Sequence, residues 1–131
     1  MKKVLEVCCG IIEESGKMYA FRRGGGMKMP GKWEFPGGKV EAGESAESAL
    51  HRELLEELQI KIEILERMEA VQHDYPDFTI YLIPFRVQVV EGTIKLIEHD
   101  ALQLGTIKEL KDLDWADADR KCLDKIERLK I

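Results

Sequence analysis

The amino-acid sequence predicts an α/β fold, because strand-like runs flank a central helix and a second helix closes the chain. Apolar residues recur every three or four positions at 45–58 and at 118–129, which is the spacing of amphipathic helices. The strand-like runs are shorter and bounded by turn residues, and they stand at 4–12, 17–23, 60–71, 79–90 and 101–107. A chain of 131 residues that is 44% hydrophobic can bury one core, so we expect a single domain over residues 1–131.

The first two strands are predicted to form a hairpin, because turn-forming residues at 14–16 separate them. Glycines then predict a loop at 24–31, and this loop lacks the Lys-Ser/Thr ending of a phosphate-binding P-loop. Turns at 75–77 and 91–92 separate the later strands. The closing helix should bury the side that is formed by Leu123, Ile126 and Leu129.

The helix at 45–58 has an apolar side and an acidic side. The apolar stripe, which should fix the helix against the core, consists of Leu50, Leu54 and Leu58. The acidic side carries three carboxylates within an arc of about 100°, those of Glu53, Glu56 and Glu57. Ala46 and Ala49 share the acidic side, where their small side chains would leave room for a ligand.

The carboxylates of Glu53 and Glu57 lie four residues apart, so their repulsion destabilises the helix unless a cation neutralises them. No lysine occurs between Lys39 and Lys61 to do so. Mg²⁺ and Mn²⁺ prefer oxygen ligands, and a metal site is therefore one interpretation of this face. The other interpretation is an ordinary solvated face, where most glutamates are found.

The spacing of the acids belongs to a longer pattern: Gly38, five residues, Glu44, seven residues, Arg52-Glu53, Leu54, one residue, Glu56-Glu57, one residue, Gln59-Ile60. This pattern closely resembles the Nudix box, the signature of hydrolases that cleave a nucleoside diphosphate linked to another group. Gln59 stands where that family usually has glycine. The stretch at 33–39 also resembles the approach to the box in the MutT type and in relatives that act on CTP. The resemblance implies a curved mixed sheet between helices, an α/β/α arrangement.

The resemblance also implies a role for each acidic residue. Glu56 and Glu57, with the backbone carbonyl of Gly37, would hold the catalytic Mg²⁺, for which Mn²⁺ could substitute. Glu53 would act as the base near the nucleophilic water and would belong to the metal site as well. Glu98, outside the box, resembles the distant metal-ligand glutamate of MutT-type relatives.

Arg52 and Glu44 complete the residues that the resemblance places in the catalytic group. Arg52 would orient the carboxylates through charge-assisted hydrogen bonds, and a surface pairing with Glu56 at i, i+4 is the alternative. Glu44 matches the first glutamate of the box, and a favourable charge at the helix N-terminus is its alternative role.

Basic residues concentrate before the box: residues 1–39 hold eight Lys/Arg against four Asp/Glu, and the remainder holds twelve against twenty-one. Basic residues beside an acidic metal site suit a polyphosphate, so we expect Arg23 and Lys28 to contact the substrate. Of the two aromatic residues around Glu34, one should pack in the core and the other could stack on a base. We assign the substrate-binding role to Phe35.

Asp119 falls where MutT-type enzymes have an Asn or Asp that reads the base. An ionised Asp only accepts hydrogen bonds, so it suits the cytosine N4 amino group or the N1–H and N2–H₂ of a guanine-type base. Uracil presents the acceptor O4 and would be disfavoured. In the alternative, Asp117 and Asp119 are simply acids of the first turn of the closing helix.

The box and the basic loop together predict a Mg²⁺-dependent nucleoside triphosphate pyrophosphohydrolase that releases a nucleoside monophosphate and pyrophosphate. CTP, dCTP or an oxidised guanine nucleotide is the expected substrate. The alternatives are hydrolysis of another nucleoside diphosphate derivative and a Nudix-type binding module without turnover.

Composition indicates which other partners and settings to expect. The net charge of −5 argues against a protein that coats nucleic-acid polymers. The chain has neither a long apolar segment near its start nor a run of about 18 apolar residues, so we expect no membrane partner and a cytoplasmic location. The oligomeric state stays open.

Three cysteines, an odd number without Cys-x-x-Cys spacing, argue against a disulfide framework. Cys8 and Cys9 are neighbours on a strand, so they should point to opposite faces and serve in packing. His73 and His99 are too far apart in sequence to indicate a zinc pair, and we expect surface or packing roles for them.

Overall fold

The structure is a computed structural model that describes residues 2–129, so the expected domain limits 1 and 131 lie outside the described residues. The strands in this range are β1 (Lys3–Glu14), β2 (Lys17–Arg22), β3 (Trp33–Glu34), β4 (Gly37–Lys39), β5 (Lys61–Arg67), β6 (Val71–Asp74), β7 (Phe78–Glu91) and β8 (Ala101–Gly105). The helices are α1 (Ala46–Leu58), α2 (Ile107–Leu110) and α3 (Asp117–Leu129).

One mixed sheet runs through the molecule in the order β3-β2-β1-β7-β5. Strands β1 and β7 are parallel over ten residue pairs and form its centre. The short strand β4 pairs with β1, β6 pairs with β7, and β8 pairs with β2, all in antiparallel orientation. Strand β4 therefore continues the edge of β1 where β2 stops, and it leads directly into α1.

Two apolar clusters lie on opposite sides of the sheet. One contains Leu50, Leu54 and Leu58 of α1. The other contains Leu123 and Ile126 of α3. The sheet therefore lies between α1 and α3, which is the α/β/α arrangement that the sequence predicted.

The cysteine neighbours show the same two-sided packing. Cys8 belongs to the α1 cluster and Cys9 to the α3 cluster, so their predicted opposite orientation is confirmed. Both are buried and free, as is Cys122. Among the helices of residues 2–129, none is long and apolar enough to cross a membrane.

Most of the predicted elements are confirmed within two residues at each end, and two strand predictions need correction. The run at 60–71 is divided between β5 and β6 opposite Pro84 of β7, which has no N–H for the ladder; Met68 N–H instead donates to the Pro84 carbonyl at 2.9 Å. The run at 101–107 ends at Gly105 because Thr106 and Glu109 form a capping box that starts α2.

The apolar side predicted for α3 is confirmed for Leu123 and Ile126, which are buried, whereas Leu129 is 69% exposed and lines a surface cavity with Ile126. The prediction that Ala46 and Ala49 leave room for a ligand is wrong. Ala46 and Ala49 are buried in the α1 cluster rather than facing an open ligand site. Small side chains at these positions allow α1 to approach the sheet closely.

Helix α1 has defined caps at both ends. The Ser45 hydroxyl accepts a hydrogen bond from Ser48 N–H at 3.0 Å, which satisfies one of the unpaired donors of the first turn. Gln59 ends the helix in the left-handed conformation, with φ 57° and ψ 40°, and its N–H donates to the Leu55 carbonyl at 3.1 Å. A non-glycine residue pays a steric cost in this conformation.

We therefore expect Gln59→Gly to be neutral or stabilising, with a rise in Tm from zero to about 4 °C. Glycine removes the Cβ strain of the left-handed conformation, while its greater freedom in the unfolded chain offsets part of the gain. Thermal unfolding of this variant measures the balance, with Gln59→Ala as the control that retains a Cβ. A clear fall in Tm specific to the glycine variant would contradict the strain argument.

Candidate active site

Two adjacent glycines bring β4 into contact with β1 and α1. A Cβ at Gly37 would lie 1.9 Å from the Cys8 carbonyl oxygen, and a Cβ at Gly38 would lie 2.3 Å from Cδ of Glu53. The Glu53 carboxylate is thus seated directly against the backbone of β4. Only glycine at position 38 leaves this space, which gives the box glycine a physical reason.

Arg52 fixes the carboxylates of Glu44 and Glu53 by hydrogen bonds. Its guanidinium binds Glu44 through two hydrogen bonds of 2.8 and 2.9 Å and Glu53 Oε1 through a third of 2.8 Å. A further bond of 3.2 Å reaches the Lys39 carbonyl in β4. Arg52 thus makes the orienting contacts that were expected of it. Its distance to the Glu56 carboxylate is 3.6 Å, which is longer than its distances to Glu44 and Glu53.

Glu44 is held by Arg52 rather than by the helix terminus. The Arg52 guanidinium lowers the pKa of Glu44 to about 2, and the Glu41 N–H also donates to Glu44 at 3.1 Å. Ser45 supplies the N-cap of α1 instead. The structure therefore favours the box-like role of Glu44 over its alternative role at the helix N-terminus.

Glu57 lies at the centre of the acidic cluster, which we define as Glu34, Glu53, Glu57 and Glu98. One carboxylate oxygen of Glu57, Oε2, is buried without a hydrogen-bond partner among the described residues. The pKa of Glu57 is raised to about 8, mainly by burial and then by the nearby charges of Glu34, Glu53 and Glu98, in that order. An unpaired buried oxygen surrounded by like charges is the environment that a divalent cation would stabilise.

The predicted metal ligands are only partly brought together. Glu53, Glu57 and Glu98 belong to the cluster, whereas the Glu56 side chain is 61% exposed and lies against Arg52. Gly37 pairs with Cys9 of β1. Within residues 2–129, no three His, Cys, Asp or Glu side chains are close enough to enclose an ion as they stand. The chemistry of the cluster nevertheless fits a divalent cation, because the orphaned oxygen of Glu57 needs a positively charged partner.

Metal affinity should increase with pH. Because its pKa is raised to about 8, Glu57 is protonated below that pH, and an incoming cation must displace the proton. We expect Mn²⁺ affinity to rise up to about tenfold per pH unit from about pH 6 to about pH 8 and to level off above. Calorimetric titration in two buffers of different ionisation enthalpy would also detect the released proton. A flat profile would contradict the assignment of Glu57 as the titrating ligand.

A cavity of about 480 Å³ opens beside the acidic cluster, and Glu34 belongs to both. Its walls include Arg23, Lys28, Glu34, Gly38, Tyr75 and Asp119. Three of the four residues predicted to bind substrate, Arg23, Lys28 and Asp119, are therefore brought together here. Tyr75 and Phe78 also line this cavity and stack with their ring centroids 5.0 Å apart.

The prediction of a stacking role for Phe35 is wrong. Its ring is 2% exposed and packs against Trp115, with the centroids 4.8 Å apart. Residues two apart in an extended stretch face the same side, and Phe35 and Trp33 both pack on the α3 cluster, Phe35 more deeply. Trp33 is only partly buried, and the guanidinium of Arg22 lies 5.9 Å from its ring centroid.

Asp119 is buried at the inner wall of the cavity, and its Oδ1 accepts a hydrogen bond from Phe35 N–H at 3.0 Å. This bond leaves Oδ2 for a bound base. Burial raises the pKa of Asp119 well above its ordinary value, and the charge of Glu34 raises it further. Burial therefore favours the neutral carboxyl of Asp119 more than that of an exposed aspartate, and a protonated carboxyl can donate as well as accept, whereas the sequence prediction considered only the ionised acceptor.

Sequence reasoning did not identify two buried polar residues of the site. Glu34 Oε1 accepts from Arg23 at 2.5 Å, and Glu34 Oε2 lies 2.8 Å from Nε2 of His99. The available signals were an acid between two aromatic residues and a histidine next to Glu98. His99 does pack, as expected, but it also contacts Glu34, which belongs to both the cavity wall and the acidic cluster. His73 lies edge-on to Tyr75, 4.6 Å away, and 3.5 Å from Asp117.

Comparisons with known proteins agree with this architecture. A family profile described as the NUDIX domain matches residues 2–126. The CTP pyrophosphohydrolase of Escherichia coli K12 is 36% identical to the chain over 98% of its length and 95% of the relative. The 8-oxo-dGTP diphosphatase of the same strain is 34% identical over 98% of this chain and 100% of the relative. The crystal structure of a MutT protein from Methanosarcina mazei Go1 superposes with a TM-score of 0.87 at 24% identity, covering 98% and 96% of the two chains.

Proposed function

This chain belongs to the Nudix family of hydrolases, and on that premise we propose that it is a nucleoside triphosphate pyrophosphohydrolase that uses Mg²⁺. The products would be a nucleoside monophosphate and pyrophosphate. The observation that carries the proposal is the orphaned oxygen of Glu57, in an acidic cluster that shares Glu34 with a cavity of nucleotide size. Nudix hydrolases in general need a divalent metal ion, and Glu53, Glu57 and Glu98 would hold it here. Glu56 and the Gly37 carbonyl are also proposed as ligands, and the resemblance to the Nudix box is the support for both.

Bound Mg²⁺ would neutralise the diphosphate and make a water molecule more acidic. The chain itself supplies the proton acceptor: Glu53 is seated on Gly38 and fixed by Arg52, so one of its oxygens has a defined direction. Burial raises the pKa of Glu53, which makes it a better base than an exposed glutamate near neutral pH. Arg23 and Lys28 would bind the phosphate chain from the cavity side.

For the base, we propose cytosine or an oxidised guanine. The relatives named above as CTP pyrophosphohydrolase and 8-oxo-dGTP diphosphatase support both. Asp119 Oδ2 is the group proposed to read the base edge. In its ionised form it accepts from the N4 amino group of cytosine, and in its protonated form it could donate to the O4 of uracil.

We therefore expect the kcat/KM ratio of CTP to UTP to increase with pH. Burial raises the pKa of Asp119, so a protonated carboxyl can donate to uracil O4 below that pKa, and ionisation above it leaves two acceptors facing each other. The gain in discrimination, measured from about pH 6 to about pH 9, should be at most about 5- to 150-fold. Asp119→Asn, which does not titrate, should remove the pH dependence, and Asp119→Ala should lower discrimination by about 1–3 kcal/mol.

The measurement is kcat/KM for CTP, dCTP, 8-oxo-dGTP and UTP across this pH range. Asp117→Asn is the matched control, because Asp117 lies in the same turn of α3 with an exposed side chain. Unchanged substrate ratios in the Asp119 variants, with only a fall in Tm, would make Asp119 a structural residue of the helix start.

The reaction itself is tested by Mg²⁺-dependent pyrophosphate release from a panel of nucleotides. Inorganic pyrophosphatase and phosphate detection then report the product. Cleavage of nucleoside diphosphate derivatives alone, with intact triphosphates, would replace the proposed substrate class by the alternative one.

The setting of the protein is likewise a proposal. One domain over residues 1–131 is supported by the family match to residues 2–126. A cytoplasmic location is supported by the three free cysteines, which suit a reducing compartment. We propose a nucleotide as the partner, without a nucleic-acid polymer or a membrane.

A further inference from the structure

His99 is a buried histidine in contact with an acid of the active site. Its side chain is 0% exposed, and its ring lies on Phe21 with the centroids 5.4 Å apart. Nε2 lies 2.8 Å from Oε2 of Glu34, so an Nε2–H donates to that carboxylate. The other Glu34 oxygen is taken by Arg23. Both oxygens of Glu34 are thus fixed, one from each side.

The segment that carries His99 is anchored to the end of β2. A Cβ at Gly24 would lie 2.1 Å from the Glu98 carbonyl oxygen, so the two backbones are in direct contact. Asp100 N–H donates to the Arg22 carbonyl at 3.1 Å, and the Arg22 side chain binds Asp100 at 2.6 Å. His99 enters the core between these two anchored neighbours, so its position and that of Glu98 depend on each other.

If packing were its only role, histidine at this position would stabilise the protein less than an apolar ring. Its Nδ1 is buried and has no hydrogen-bond partner among the described residues. Leaving a buried polar atom unpaired destabilises a protein, so a phenylalanine would pack against Phe21 with less penalty. What histidine adds is the Nε2–H group that reaches Glu34.

We propose that His99 is a positioning residue of the active site: its Nε2–H fixes the Glu34 carboxylate at the cavity wall, and its burial holds Glu98 in the acidic cluster. This inference rests on the proposed function, in that the cluster is taken as the metal site and the cavity as the nucleotide site. His99 itself touches neither the metal nor the substrate. Its effect is carried by the two glutamates.

Three substitutions separate the hydrogen bond from the packing. His99→Phe keeps a ring against Phe21 and removes the donor. His99→Gln places an amide N–H₂ near the position of Nε2, and His99→Asn places it nearer to Nδ1, too short to reach Glu34. His51→Phe is the matched control, because His51 is exposed on α1 and outside the site.

The first readout is Mn²⁺ binding to the nucleotide-free protein, followed by electron paramagnetic resonance, and the second is kcat and KM for pyrophosphate release. We expect His99→Phe to weaken Mn²⁺ binding and to lower kcat/KM by about 10- to 100-fold each, while thermal unfolding shows that the protein is still folded. His99→Gln should recover both to within about threefold of the parent, and His99→Asn should not.

A folded His99→Phe protein that binds Mn²⁺ and turns over substrate like the parent would overturn the proposal. If His99→Phe does not fold, the Gln and Asn variants decide: equal impairment overturns the proposal, and recovery by Gln alone supports it. A parent protein that binds Mn²⁺ but releases no pyrophosphate would refute the proposed reaction instead. The Mn²⁺ affinities of the variants would still test the positioning role of His99.

Discussion

Replacing Glu57 by glutamine is expected to lower kcat/KM by about 10²- to 10⁴-fold while the protein stays folded. The substitution removes the carboxylate whose buried Oε2 has no partner in the described residues, and with it the strongest candidate ligand. Glutamine is uncharged, so repulsion from Glu34, Glu53 and Glu98 is relieved. In metal-free buffer, Tm should therefore match or exceed that of the parent, with the largest gain above about pH 8, where Glu57 ionises.

Turnover over a wide range of Mg²⁺ concentrations, together with thermal unfolding, measures both effects. Glu47→Gln is the matched control, since Glu47 stands in the first turn of the same helix and its one ion pair within residues 2–129 is with exposed Arg67, at 3.4 Å. Turnover near that of the parent by a folded Glu57→Gln protein at saturating Mg²⁺ would end the metal assignment.

Glu53→Gln should also cost about 10²- to 10⁴-fold in kcat, but with metal affinity less affected. The amide oxygen can still accept from Arg52 and fit against Gly38, so the fold and the direction of the side chain are retained. What is lost is the proton acceptor. A single-turnover rate that rises with pH in the parent and stays flat in the variant would identify this role.

Glu41→Gln serves as the control for Glu53→Gln, because Glu41 is exposed and lies 3.9 Å from the same guanidinium. The contrary result is a variant whose metal binding collapses and whose rate recovers fully at high Mg²⁺. Glu53 would then act as a metal ligand alone, and the proton acceptor would have to be another group.

The sequence was informative wherever local spacing determines the structure. The period of the leucines located α1 and its buried side, and the box spacing placed Glu53 and Glu57 together with Glu44 and Arg52. The two halves of the strand at 60–71 could not be separated in the same way, because the break depends on Pro84 in a different strand. Local periodicity carries no information about that pairing.

The sequence could not predict the contacts of Glu34, Phe35 and His99, for a related reason. Neighbouring residues in an extended stretch face opposite sides, so Glu34 and Phe35 were expected to diverge, but the sequence did not show which side is the core. The pairing of β2 with β3 and the anchoring of residues 98–100 on β2 decide that question. Asp119 shows the same limit for electrostatics, since its position was expected but its raised pKa depends on burial and on the charge of Glu34, which lies far from it in sequence.

The cavity is lined by residues with different neighbours, and this difference matters for engineering the substrate range. Glu34 and Gly38 border the acidic cluster, so substitutions there would alter base recognition and catalysis at once. Tyr75, Asp77 and Phe78 form a part of the wall outside that cluster, on the turn before β7 and at its first residue. A mutant library confined to this wall can explore new bases while the machinery that cleaves the phosphate chain is left unaltered.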